Sequence, residues 1–202
     1  RAATRRFRTG SGRRTFQRDS KDLNVNRSHS PVVCVSECRR FGVEIPEAVV
    51  EKILRYCSDS VQVETGGILI GYYNPEHTRA IVAEATGPPA DSTRLPRRFI
   101  RGVQGLQQLL DRLWNRQRLY YLGEWHFHPD SSSLPSQQDL REMLKISRNR
   151  LTECPEPLLV IIGGEPDANW SMSVSVQSAK QVIPLAKSST AAVAGSESSW
   201  TA

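Results

Sequence analysis

"LYYLGEWHFHPDSSSLPSQQDLREMLKIS", residues 119–147, reads as a strand, a turn and a helix start in one run. Its first third is dense in aromatic and apolar residues, as a strand requires. Pro129 cannot donate to a sheet ladder and ends the strand. After the loop Asp130 to Pro135, Ser136 stands where a helix N-cap belongs, ahead of Leu140, Met143 and Leu144 at helical spacing. In a strand, residues i and i+2 share a face, so His126 and His128 send both imidazoles to one side, about 6–7 Å apart. The first turn of the helix adds Asp139. Two imidazoles and a carboxylate leave a fourth position open, which is the pattern of a catalytic zinc and not a structural one.

Part of the same stretch is also explained by helix capping. Ser136-x-x-Asp139 approaches a capping box, although that motif prefers Glu or Gln in its last place. Metal-assisted hydrolysis further needs a proton acceptor beside the water. Glu124, two residues before His126 on the same strand face, is one candidate. Glu64, at the mouth of the Gly-Gly-apolar stretch "ETGGILIG", is the other. The chemistry alone leaves both open.

Outward from this stretch, the pattern alternates between periods. "VVCVSEC" and "FGVEI" read as short strands, and "PEAVVEKILRYC" as a helix opened by Pro46 with Val49, Ile53 and Tyr56 or Cys57 inward. "GGILIGYY" and "RAIVAEATG" read as adjacent strands, and "GPPADSTRLPRR" as a surface loop. "GVQGLQQLLDRLWNRQ" is expected to be an amphipathic helix on Val103, Leu106, Leu110 and Leu113. "PLLVIIGG" suits a fully buried strand and "WSMSVSV" a half-exposed one. This mixed order, with no internal repeat, indicates one α/β (α+β) domain over residues 31–185.

The net charge of +6 divides unevenly. Residues 1–30 hold nine basic and two acidic residues, a net +7, while the remaining 18 basic and 19 acidic residues leave −1. The basicity therefore belongs to a leader expected to be disordered, which argues against specific nucleic-acid binding by the domain. Residues 186–202 are Ser/Ala-rich and are expected to form a disordered tail. No apolar run is long enough to span a membrane. Four cysteines without C-x-x-C spacing suggest free thiols and a cytoplasmic setting, with Cys34 and Cys38 as small core residues.

His126, His128, Pro129, Ser136 and Asp139 match H-x-H-P-x6-S-x-x-D at every fixed position. Together with Glu64, they make the chain resemble the JAB/MPN metalloproteases that carry the JAMM signature, over about residues 32–183. The resemblance implies a central mixed β-sheet flanked by helices, with a zinc site at a strand end and a helix N-terminus. It further implies one Zn²⁺ per chain on His126, His128 and Asp139, with Glu64 as general base and Ser136 as hydrogen-bond donor to the oxyanion. "YLGEWHFHP", the Thr86-Gly-Pro-Pro loop and the insert-free layout are similar to the bacterial branch, including the deconjugating peptidases of CBASS antiphage operons and JAB proteins of integrative and conjugative elements. That likeness implies an isopeptidase acting after the C-terminus of a ubiquitin-like modifier or a conjugated cGAS-like nucleotidyltransferase. Its partners would be a protein with an extended C-terminal tail and a ubiquitin-activating or conjugating-like enzyme of the same system.

Glu124 stands where many eukaryotic members have an aromatic residue, and is expected to orient a histidine or touch substrate. Two neighbouring readings lack support in the residues. The repair-associated bacterial branch shares Pro135-Ser136, but it usually opens with a DNA-binding module for which residues 1–30 are too short and too polar. Non-catalytic scaffolds of the family have lost ligands that are all present here.

Overall fold

The computed structural model describes residues 31–60 and 62–188; the leader expected over residues 1–30 and the tail beyond residue 188 lie outside the described residues. The elements run β1 (Val32–Val35), β2 (Gly42–Ile45), α1 (Glu47–Ser58), β3 (Thr65–Tyr73), β4 (Arg79–Ala85), β5 (Thr93–Leu95) and β6 (Arg98–Ile100). They continue with α2 (Leu106–Gln117), β7 (Tyr120–Pro129), α3 (Gln137–Arg148), β8 (Leu158–Gly164), β9 (Trp170–Gln177) and β10 (Val182–Lys187). Eight strands form a mixed sheet that closes on itself in the order β1-β10-β9-β8-β7-β3-β4-β2, while β5 and β6 make a separate hairpin. The sheet is mixed as expected, and its closure leaves none of the eight strands as an edge.

Strand alternation builds the inside. Leu69 of β3, Val82 of β4, Trp125 and Phe127 of β7 and Val160 and Ile162 of β8 all turn into one buried cluster, which α1 joins through Val49, Val50, Ile53 and Cys57. Each such side chain stabilises the fold by about 1.5–3 kcal/mol relative to exposure. The opposite faces of β3 and β8 carry smaller clusters. Ile68 and Ile70 pack under α2, and Leu159 and Ile161 pack with Met143 of α3.

β7 contains the irregularity that matters for the site. Leu69 pairs with Gly123 but Ile70 pairs with Tyr121, so Leu122 is an extra residue, a β-bulge. Strict alternation would place Leu122 on the side of Glu124. The bulge instead turns Leu122 inward with Trp125, and Tyr121 outward beside Glu124. Gly123 allows β8 to come close, since a Cβ there would lie 2.0 Å from the Leu158 carbonyl oxygen.

Four local expectations are corrected. The stretch read as a loop holds β5 and β6, whose three-residue strands in an Arg- and Pro-rich segment carry almost no periodic signal. The α2 helix starts at Leu106 and not near Gly102, because Gly105 takes a left-handed φ of 78° at the N-cap; this leaves Val103 outside the helix and 69% exposed. Cys38 lies exposed in a turn and not in the core, whereas Cys34, Cys57 and Cys154 are buried, and all four are free. β10 runs past residue 185, since Ala186 and Lys187 pair with Val35 and Cys34 of β1. Among the described residues, no helix is long and apolar enough to cross a membrane.

Candidate metal centre

The outer face of β7 presents Glu124, His126 and His128, which are 4%, 6% and 7% exposed. The i, i+2 alternation places all three on one side, as their spacing requires. Room for them is made across the ladder at Gly66, which pairs with His126. A Cβ on Gly66 would come within 2.4 Å of the Trp125 carbonyl oxygen and 2.9 Å of His126 Cδ2.

The helix start supplies the carboxylate. Ser136 is the N-cap of α3: its Oγ accepts the Asp139 amide at 3.2 Å, and Asp139 Oδ2 accepts the Ser136 amide at 2.7 Å. The full capping box forms with Asp in the place usually held by Glu or Gln. It also aims the carboxylate. Asp139 Oδ1 lies 2.8 Å from His126 Nδ1, and Oδ2 lies 3.3 Å from His128 Nε2. Capping and convergence on the histidines are thus one arrangement.

Glu64 immediately precedes β3, one step beyond the Thr65–Phe127 pair and on the same side as Gly66. It is half-buried, its amide donates to the Leu95 carbonyl at 2.9 Å, and its carboxylate takes a backbone hydrogen bond from Phe99. Burial raises its pKa, and the nearby Asp139 charge adds to this, while His128 and His126 pull the other way.

Glu124 is held from behind. Arg101 donates to Glu124 Oε1 through Nε at 2.9 Å and lies 2.8 Å away through Nη2, and the Tyr121 hydroxyl donates to the same oxygen at 3.3 Å. Its other oxygen, Oε2, stands 3.4 Å from His126 Nε2. His126 therefore lies between two carboxylates. Burial opposes charge on its ring, but the bonds to Asp139 and Glu124 outweigh it and lift the pKa to about 9. Burial also pushes both carboxyls up, and again the partners win. His126 and His128 hold Asp139 well below the usual carboxylate range, and His126 with Arg101 holds Glu124 below it.

As described, the donors touch each other. Among the described residues, no group of three or more His, Cys, Asp or Glu side chains is placed so that it could hold a metal ion as it stands. The donor chemistry nevertheless fits zinc: two imidazoles and a carboxylate converge at a buried point. The 3.3 Å between His128 and Asp139 is close to the edge of a tetrahedral zinc ligand set, about 3.3 Å for bonds near 2 Å. The 2.8 Å contact of His126 would have to open by about half an ångström to match it.

All six residues singled out in the sequence thus gather in one place, with Glu64 at its rim. Three further side chains escaped the sequence reading: Arg101, Tyr121 and Phe99. Phe99 packs edge-on to His126 with ring centroids 5.3 Å apart, and its carbonyl accepts from Gln138 Nε2 at 3.0 Å, tying the β5–β6 hairpin to α3. A signal for Arg101 was present, because a buried Glu124 requires a cation. Nothing in the sequence told which of the nearby arginines supplies it.

The family model described as prokaryotic homologs of the JAB domain matches residues 46–175. A CD-NTase/cGAS isopeptidase of Enterobacter hormaechei subsp. hoffmannii is 43% identical over 141 residues, covering 70% of this chain and 78% of that protein. A probable metalloprotease of Sinorhizobium fredii is 30% identical over 129 residues, covering 62% of this chain and 77% of that one. A CD-NTase/cGAS isopeptidase of Pseudomonas aeruginosa is 33% identical over 108 residues, 52% of this chain and 66% of that protein.

Proposed function

The chain belongs to the prokaryotic JAB-domain family, a hydrolase related to proteins named isopeptidase and metalloprotease, and we propose that it is a zinc-dependent isopeptidase that deconjugates a CD-NTase. The observation that carries this reading is the buried convergence of His126, His128 and Asp139 with Glu64 at its rim. The substrate class is taken from the isopeptidase that is 43% identical. On this reading the protein works in antiphage defence in the cytoplasm, and it cleaves the amide that joins a target amine to the C-terminus of its conjugated partner. A ubiquitin-like modifier offers the same extended C-terminal tail and is the second substrate to test.

His126, His128 and Asp139 would hold the Zn²⁺, which supplies Lewis acidity toward the scissile carbonyl and brings a water's pKa toward neutrality. The Glu64 carboxylate takes a proton from the attacking water and later delivers it to the nitrogen of the leaving amine. Ser136 then has two roles at one oxygen. A lone pair of Oγ accepts the Asp139 amide at 3.2 Å, which leaves the hydroxyl hydrogen to donate to the negative charge that develops on the carbonyl oxygen. Glu124 faces the Nε2 edge of His126 and orients the ring, while Arg101 and Tyr121 fix Glu124. Phe99 closes one side of the histidine against water.

The test uses a nucleotidyltransferase joined through its C-terminal carboxyl to a lysine side chain. The zinc-loaded protein is expected to release both partners intact, and chelation is expected to stop it. A loaded protein that leaves the bond uncut while binding one zinc per chain would refute the substrate assignment.

A further inference from the structure

The β5–β6 hairpin and its exit carry more positive charge than the site beneath them uses. Residues 93–101, TRLPRRFIR, hold four arginines and no acid. Arg101 is engaged with Glu124 at 2.8 Å. Arg97 and Arg98 are exposed and make no ion pair among the described residues.

Arg94 differs from these. Strand pairing sets it directly opposite Phe99, and direct cross-strand partners share a face. That face is turned to the metal centre, because Phe99 is 4% exposed and lies against His126. Arg94 is half-buried, and its Nε is closed off from water with no hydrogen-bond partner among the described residues. A buried donor left unpaired is destabilising, and such groups nearly always find a partner. The hairpin that carries Arg94 is itself fixed on the site, by Glu64 N–H to the Leu95 carbonyl at 2.9 Å and by Gln138 to the Phe99 carbonyl at 3.0 Å. A partnerless Nε on a half-buried arginine held beside the candidate site calls for a ligand at its guanidinium, whose planar fork matches a carboxylate.

We propose that Arg94 binds a carboxylate of the substrate segment that lies along the hairpin, so that the protein selects acidic tails, with Arg97 and Arg98 drawing them in. The selection rests on the isopeptidase reading for its place in catalysis, but not for binding. A nucleic acid would suit exposed arginines as well. The acidic peptide is favoured because the unpaired donor faces the site, and because, of the four arginines in residues 93–101, only Arg97 and Arg98 stand outside it, far fewer than the roughly 6–10 phosphate contacts of typical duplex binding.

The experiment is fluorescence anisotropy with the full, zinc-loaded chain and two labelled peptides of one length, one Glu-rich and the other with Gln at each Glu. The Glu peptide is expected to bind about tenfold tighter, as one charge-assisted contact provides. R94Q is expected to abolish the preference, and R94K, which keeps charge and loses the fork, to lose most of it. The R97Q/R98Q double variant is expected to keep a preference while flattening its salt dependence. Equal binding of the two peptides, or an undiminished preference in R94Q and R94K, overturns the proposal. So does a labelled oligodeoxynucleotide of the same length that binds more tightly than the Glu peptide and displaces it. Acid-selective binding by a protein that cuts no conjugate would sink the isopeptidase reading alone, whereas an active isopeptidase without acid selectivity would sink this inference alone.

Discussion

Glu124 and Glu64 flank the same pair of histidines and are expected to respond to mutation in opposite ways. On its proposed role, Glu64→Gln removes the proton acceptor and is expected to lower kcat by at least about 100-fold while zinc content stays at one per chain, read by metal analysis beside a turnover assay. Glu124→Gln and Arg101→Met are expected to weaken zinc affinity by about 10–100-fold, read by competition with a chromogenic chelator, because His126 loses its support. If Glu124→Gln were inactive with full zinc while Glu64→Gln remained active, the two roles would be exchanged. At this scale the sequence was highly legible: i, i+2 spacing settles that His126 and His128 share a face. Spacing and chemistry left two glutamates open as the base, and the resemblance pointed to Glu64. What spacing could not supply is the setting of Glu124: the β-bulge at Leu122 brings Tyr121 to it, and Arg101 arrives from a segment with no periodicity.

At the level of elements, the centre depends on one helix start and one close strand pair. Ser136→Ala removes the cap of α3, with an expected stability loss of about 1 kcal/mol in urea unfolding. On the proposed role, it also lowers kcat by about 100-fold without changing zinc content. Gly66→Ala would press a methyl group against the Trp125 carbonyl oxygen at 2.4 Å and the His126 ring at 2.9 Å. It is expected to cost about 1–3 kcal/mol and to weaken zinc binding, both measurable on the purified variant. The strand–turn–helix of residues 119–147 was readable because period two changes to period 3.6 across Pro129. The β5–β6 hairpin was not, since two three-residue strands rich in Arg and Pro show no alternation to read. Gly105 likewise looked tolerable inside a helix until its left-handed φ of 78° placed it at the helix start.

For the whole molecule, the closed sheet makes the candidate metal centre an external feature of a barrel whose interior is packed with apolar side chains. Ile53 of α1, fully buried in that interior, is far in function from the site; Ile53→Ala is expected to cost about 2–5 kcal/mol in urea unfolding and to leave zinc stoichiometry at one per chain in the folded fraction. Zinc bound only by the folded state is expected to raise the melting temperature in proportion to the logarithm of its free concentration, and His126→Ala is expected to cancel that rise. The alternation of strands and helices was present in the hydrophobic periodicity, and so was the mixed α/β class. Closure was not, because it depends on pairing β1 with β10 and β2 with β4 across long sequence separations, and Pro184 in β10 weakens the only local sign of the last strand. The most direct test of the account is the release of a lysine-linked target from the C-terminus of a conjugated nucleotidyltransferase, followed by mass spectrometry with and without one equivalent of zinc. The expected result is cleavage at that isopeptide bond by the zinc-loaded protein and none by the chelated protein or by Glu64→Gln. Cleavage that persists without zinc and in Glu64→Gln would contradict it.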